Sequence, residues 1–215
     1  MVNLLLGAGH IDRQLPAAHE LLAGYRTDDG LRYLEWRPST NPDRILPEDL
    51  AVTILINSRV GPAAFKSAQD HGRLIDLEEL PDIRLEHASR DERDQVAHLI
   101  AGVARWRGFA ASVATKILHK KRPSLIPILD NQAIFGAYMN PRWPEQRSAT
   151  DSVYAETRIR AALEWIWIDL TRSENAEAWT ALSAIEPARS RIELFDMVWW
   201  VHFRELEPVR PQSPV

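Results

Sequence analysis

Apolar positions recur at helical spacing along most of the chain and alternate in only one place. Ala17, Leu21 and Leu22 fall on one side of Pro16 to Arg26, which predicts a first helix. Thr27 to Gly30 reads as a turn, and Leu31 to Trp36 alternates like a short strand or extended arm. Pro38 to Pro42 is loop. Pro47 suits the first turn of a helix carrying Leu50, Ile54 and Leu55, and Gly61-Pro62 opens another that Gly72 closes. Leu74 to Leu80 predicts one or two further turns. Ser89-Arg-Asp-Glu92 has capping-box spacing and begins a helix through Val96, Leu99, Ile100 and Val103. A tight turn at Arg107-Gly108-Phe109 follows, then a helix from about Ala110 to Lys120 with Ala111, Val113, Ala114, Ile117 and Leu118 on its apolar side.

A Pro-bounded apolar run, Pro123 to Leu129, closes on Asp130, which is placed to cap a helix over Gln132 to Met139. Asn140-Pro-Arg-Trp-Pro144 ends it. Asp151 to Leu170, Ala176 to Ile185 and Arg191 to Glu205 predict three more helices, and Pro208 to Val215 a loose tail. Eight to ten helices with at most a short extended arm near 31–36 make an all-α chain. It reads as one globular domain over 1–215. Two helical subdomains are an alternative: about 45–140 bearing the hairpin, and 1–44 packing with 141–207.

Composition narrows the chemistry. The 215 residues are 45% hydrophobic and 26% charged, enough for a sizeable core. No apolar run approaches the ~20 residues of a bilayer-spanning helix. The N-terminal stretch lacks a basic n-region, so no signal peptide is expected and a cytoplasmic address is. There is no Cys, which excludes disulfides and thiolate-held clusters.

Charge is uneven. Arg105, Arg107, Lys116, Lys120, Lys121 and Arg122 lie in a stretch, Gln95 to Leu129, that holds no Asp or Glu. Removing those six leaves 20 Lys and Arg against 30 Asp and Glu elsewhere, on a chain of net charge −4. The hairpin therefore reads as basic-coated on an acidic body, a local field suited to phosphates. A solvated charged face is the plain alternative.

These residues carry a resemblance. Gln95 to Tyr138, about a fifth of the chain, resembles the helix-hairpin-helix DNA glycosylases of the endonuclease III-like superfamily. Gly108-Phe109-Ala110 stands at the hairpin, and Pro127-Ile128-Leu129-Asp130 at the run ending in the catalytic Asp. The chain is also similar to an uncharacterised bacterial family sharing the HKKRPSLIPILD stretch. Ser112 falls where bifunctional members carry their Lys nucleophile, 18 positions before Asp130, so the resemblance implies base excision without strand cleavage. Ala110 in place of the second hairpin glycine, and Asn131-Gln132 after the Asp, depart from the pattern.

The implied fold is a glycosylase-like helical domain, and the implied partner is double-stranded DNA with a flipped or modified base. Asp130 would be the catalytic carboxylate. Arg107, Gly108, Phe109, Ala110, Ser112, Lys116, His119, Lys120, Lys121 and Arg122 would contact DNA, the hairpin through backbone N–H groups and the cations through sequence-blind attraction. No metal or iron–sulfur cluster is implied; a monovalent cation at the hairpin is compatible with it. His119 reads as a phosphate-side donor, since no second His or carboxylate sits at ligand spacing. Lys116 reads as an exposed residue one helical turn beyond Ser112.

Bland readings stand beside these. Asp130 can be a simple N-cap, and the eight Trp can be core or a subunit contact. In the pairs Trp165/Trp167 and Trp199/Trp200, one member each should point away from the core. Tyr33 and Trp36 are weaker pocket candidates, and Trp106 and Phe109 flank the hairpin. Two alternatives to the enzyme remain: a catalytically silent DNA-binding module, and an all-helical interaction domain that uses the hairpin only as packing.

Overall fold

A computed structural model describes residues 3–8, 10–26, 30–36, 41–56, 60–140 and 155–206. The expected terminator after Asn140, the start of the helix at Asp151 and the tail from Pro208 lie outside the described residues. The chain is mostly helical. Two short antiparallel strands, β1 (Leu4–Leu6) and β2 (Arg13–Leu15), pair in the register Leu4↔Leu15 and Leu6↔Arg13. Helices α1 (Ala18–Arg26) and α2 (Gly30–Glu35) follow. A 3-10 turn at Pro47–Leu50 leads into α3 (Ala51–Ile54), and α4 (Pro62–His71) comes next.

The core hairpin is α5 (Arg90–Ala104) and α6 (Ala111–Lys121). The expected capping box is present: the Ser89 Oγ accepts from the Glu92 N–H at 3.3 Å, and Glu92 Oε2 accepts from the Ser89 N–H at 2.7 Å. Beyond the apolar run a π-helical turn spans Ala133–Tyr138, where the hydropathy pattern predicts an ordinary helix. Helices α7 (Glu156–Thr171), α8 (Ala176–Ile185) and α9 (Arg191–Leu206) complete the fold. α1 packs on α9, while α5 packs on both α6 and α7, so one continuous core runs through the molecule.

The expected extended arm at 31–36 is corrected to the helix α2. Adjacent Tyr33 and Leu34 are both buried, which an alternating strand facing one way cannot achieve. The Tyr33 hydroxyl donates to the Lys116 carbonyl at 2.9 Å and ties α2 to α6.

The sheet lies elsewhere, in a hairpin the hydropathy pattern does not mark. Its turn is held by the fully buried Asp169 on α7, which accepts from the Gly7 N–H (2.6 Å), the Ala8 N–H (2.9 Å) and the Tyr138 hydroxyl (2.7 Å). Burial still pushes the Asp169 carboxyl above the usual carboxylate range. No helix among the described residues is long and apolar enough to cross a membrane.

Candidate functional site

α6 is the element on which the site is built. Ala110 begins it with extended backbone and no side-chain cap, and Ser112 sits in the first turn. Thr115, fully buried one turn on, donates to the Ala111 carbonyl (2.7 Å) and accepts from the Leu129 N–H (3.0 Å). His119, one turn further, has its Nδ1 2.7 Å from the Ile126 carbonyl. These two bonds lay the apolar run along α6 and deliver Asp130 beside Ser112.

Asp130 has two separate tasks. Its Oδ1 accepts from the N–H groups of Gln132 (2.9 Å) and Ala133 (3.1 Å), so it is indeed an N-cap. Its Oδ2 accepts from the Ser112 hydroxyl at 3.3 Å and lies 3.9 Å from Lys116 Nζ. The residue pair 18 apart in sequence is thus a contact pair. One carboxylate oxygen is held by backbone N–H groups, and Asp130 is part of the lining of a cavity of about 400 Å³.

Lys116 is not the exposed helix residue expected. It is buried in the wall of that cavity with Asp130, and burial pushes its ammonium down while Asp130 pulls it back up. Aromatic walls come from Tyr25, Tyr33, Trp199 and Trp200. The Trp199 indole donates to the Ala133 carbonyl at 2.9 Å, fixing one wall to the π-helical turn. Trp200, its half-buried neighbour, also lines the cavity, as does Arg204.

Asp196 on α9 completes the polar set. Its Oδ2 accepts from the Ile128 N–H at 3.4 Å and lies 4.0 Å from His119 Nδ1. Burial pushes its carboxyl well above the usual range; the Ile128 N–H opposes this and Glu193 adds to it. Burial pushes His119 down to about 4, so its imidazole is neutral at ordinary pH. Such a set can stabilise developing positive charge, move a proton and stack a planar ring.

The expected basic coat is corrected. Lys121 is buried and pairs with the buried Asp49 at 2.8 Å, and it donates to the Asn41 carbonyl. Arg122 pairs with Asp43 (2.6 Å) and donates to the Leu77 carbonyl (2.8 Å). Both line a separate hollow of about 500 Å³ that also holds the carboxylates of Glu78 and Asp82, an unfavourable setting for phosphate. His119 is a buried strut rather than a phosphate donor. Lys120 lies 4.1 Å from the Tyr33 ring in a cation–π contact.

The hairpin turn is partly corrected too. Gly108 has φ +86°, as the turn requires, but a Cβ there would stand 2.7 Å from the Ala64 nitrogen at the start of α4. The Phe109 ring is buried and its N–H donates to the Trp106 carbonyl at 2.9 Å, so that N–H is engaged inside the turn. The Ser67 hydroxyl holds the Arg107 carbonyl at 2.9 Å. Arg105, Arg107 and Gly108 remain exposed, and Ala110 and Ser112 are half-buried. Two residues of this arrangement escape a reading of the chain alone. Asp196 lies far along it from the hairpin, and Thr115 has no local feature to set it apart from its helical neighbours.

The fold and the site together define a mostly helical protein with an aromatic-walled, acid- and lysine-bearing cavity beside its second hairpin helix. A model described as "Family of unknown function (DUF6308)" matches residues 18–203, and the chain belongs to that family. No curated protein and no solved structure matches it.

Proposed function

We propose that the protein is a helix-hairpin-helix, glycosylase-like DNA-binding protein that cleaves an N-glycosidic bond without a strand-breaking step. The observation that carries this reading is the contact of Ser112 Oγ with Asp130 Oδ2, where Asp130 is itself part of the lining of an aromatic-walled cavity. Its volume falls in the range of about 300–1,000 Å³ common for ligand pockets. Loss of a base leaves positive charge on the deoxyribose, and a carboxylate fixed at one oxygen stabilises it with the other. The base would first leave the stack and enter the cavity. Arg107, Gly108, Ala110 and the start of α6 are the DNA-facing groups left accessible for the flanking phosphates.

The test is base release from duplexes carrying a panel of damaged and modified bases, scored as alkali-labile abasic sites. Asp130→Asn should lower release by at least about 10²-fold. Its fold should persist, because Asn caps a helix about as well as Asp. If no base in the panel is released above background by the native chain, the enzymatic reading fails.

A second reading, an all-helical protein using the hairpin as packing, is favoured by the seating of Gly108 on Ala64 and by the internal pairing of Lys121 and Arg122. Under it, DNA retardation would be absent at low salt.

A further inference from the structure

We propose that Trp199 is a positioning residue for Asp130. Its indole N–H clamps the residue that fixes the carboxylate, so one side chain both walls the cavity and aims the acid. The inference rests on the base-excision reading and adds to it a residue that acts through Asp130. Its basis is a two-sided hold on Ala133. On one side of its Cα, the Ala133 N–H donates to Asp130 Oδ1 at 3.1 Å, beside the Gln132 N–H at 2.9 Å. On the other side, the Ala133 carbonyl accepts from Trp199 Nε1 at 2.9 Å. The Asp130 carbonyl joins the same turn, accepting from the N–H groups of Ile134 (3.0 Å) and Phe135 (3.1 Å). With Ser112 on Oδ2, both carboxylate oxygens are held, and the hold on Oδ1 runs back to α9.

Trp199 is built as a fixed point. Its side chain is buried, and the Tyr138 ring meets it edge-on at 5.3 Å between centroids. α9, which carries it, packs on the turn as well as on α1. The turn is π-helical, a rare form that concentrates at functional sites. A wall of the cavity needs only an aromatic face, whereas the clamp needs a donor, and the indole N–H is the one donor that a Trp side chain has. A carboxylate acts where charge develops in the transition state, so displacing it costs rate rather than affinity.

Replacing Trp199 by benzothienylalanine keeps the bicyclic ring and removes the N–H. The Gln132 and Ala133 amides should then exchange about fivefold faster with solvent, the fold-change of one hydrogen bond of ordinary net strength. Amides of α5 and α7 should keep their rates. In base release, kcat should fall by about the same fivefold at unchanged KM. Tyr138→Phe is the contrast. It removes the other polar anchor of the turn, the hydroxyl on Asp169, and keeps the ring against Trp199. It should leave kcat and the Gln132 and Ala133 amides as they are.

Unchanged exchange at Gln132 and Ala133, or a rise shared equally by α5 and α7, would overturn the proposal. So would a KM that rises at constant kcat, which would make Trp199 a wall and nothing more. Exchange needs no substrate, so local loosening in a protein that releases no base would sink the base-excision reading and leave the clamp on Asp130 standing. Base release with the same kcat in the native chain and the benzothienylalanine variant would sink this inference alone.

Discussion

Gly108 carries two constraints at once. Its φ of +86° suits only a residue without a Cβ, and the nearest backbone, Ala64 N, leaves 2.7 Å for any Cβ placed there. Gly108→Ala should therefore destabilise the protein by about 2 kcal/mol, read from denaturant midpoints at unchanged m-value. A change within a few tenths would mean that α4 gives way freely and the close packing is not a constraint. The first constraint is legible in the chain, because turn chemistry is local. The other depends on α4, more than forty positions earlier, and no residue near Gly108 announces it. Asp130 divides the same way: the cap follows from its neighbours Gln132 and Ala133, while its approach to Lys116 depends on how the intervening run folds back.

At the scale of elements, α6 and the run after it act as one unit, and Thr115 joins them. Its hydroxyl is the acceptor for the Leu129 N–H, one residue before Asp130. Thr115→Val keeps the shape but leaves that buried N–H without a partner, at a cost of about 2 kcal/mol. The Leu129 amide should exchange faster with solvent, and under the proposed function base release should fall even at temperatures where the variant is fully folded. Thr115→Ser, which retains the acceptor, should restore both; slow release in Thr115→Ser would point to the lost methyl instead. Helices α1, α5, α8 and α9 are legible in the chain because periodicity and caps are local signals. The positive residues of α6 mislead because their partners are distant. Lys121 meets Asp49 across 72 positions and Arg122 meets Asp43 across 79. A run of positive residues reads the same in sequence whether it faces solvent or buried carboxylates. The arm at 31–36 misleads for a related reason: alternation over six residues is weaker than the burial of Tyr33 and Leu34 against the rest of the fold.

For the whole molecule, the redistribution of charge changes what the proposed DNA binding should look like. An acidic chain, with 30 Asp and Glu against 26 Lys and Arg, repels a duplex at long range, so under the proposed function binding would have to come from exposed cations at the hairpin. Arg107 is exposed at the hairpin, whereas Lys121 is buried on Asp49. Each phosphate contact releases bound counterions and contributes about 0.9 to the slope of log affinity against log salt. Arg107→Ala should thus lower the slope by about one and weaken binding to every sequence alike. Lys121→Met should leave the slope unchanged while costing about 3 kcal/mol of stability, since it removes the buried ammonium that pairs with the Asp49 carboxylate. The two variants separate a cation that meets DNA from one that holds the fold. If Lys121→Met were to flatten the slope while the protein stayed as stable as before, Lys121 would have to leave Asp49 on binding, and the hairpin would be a surface that rearranges around its target.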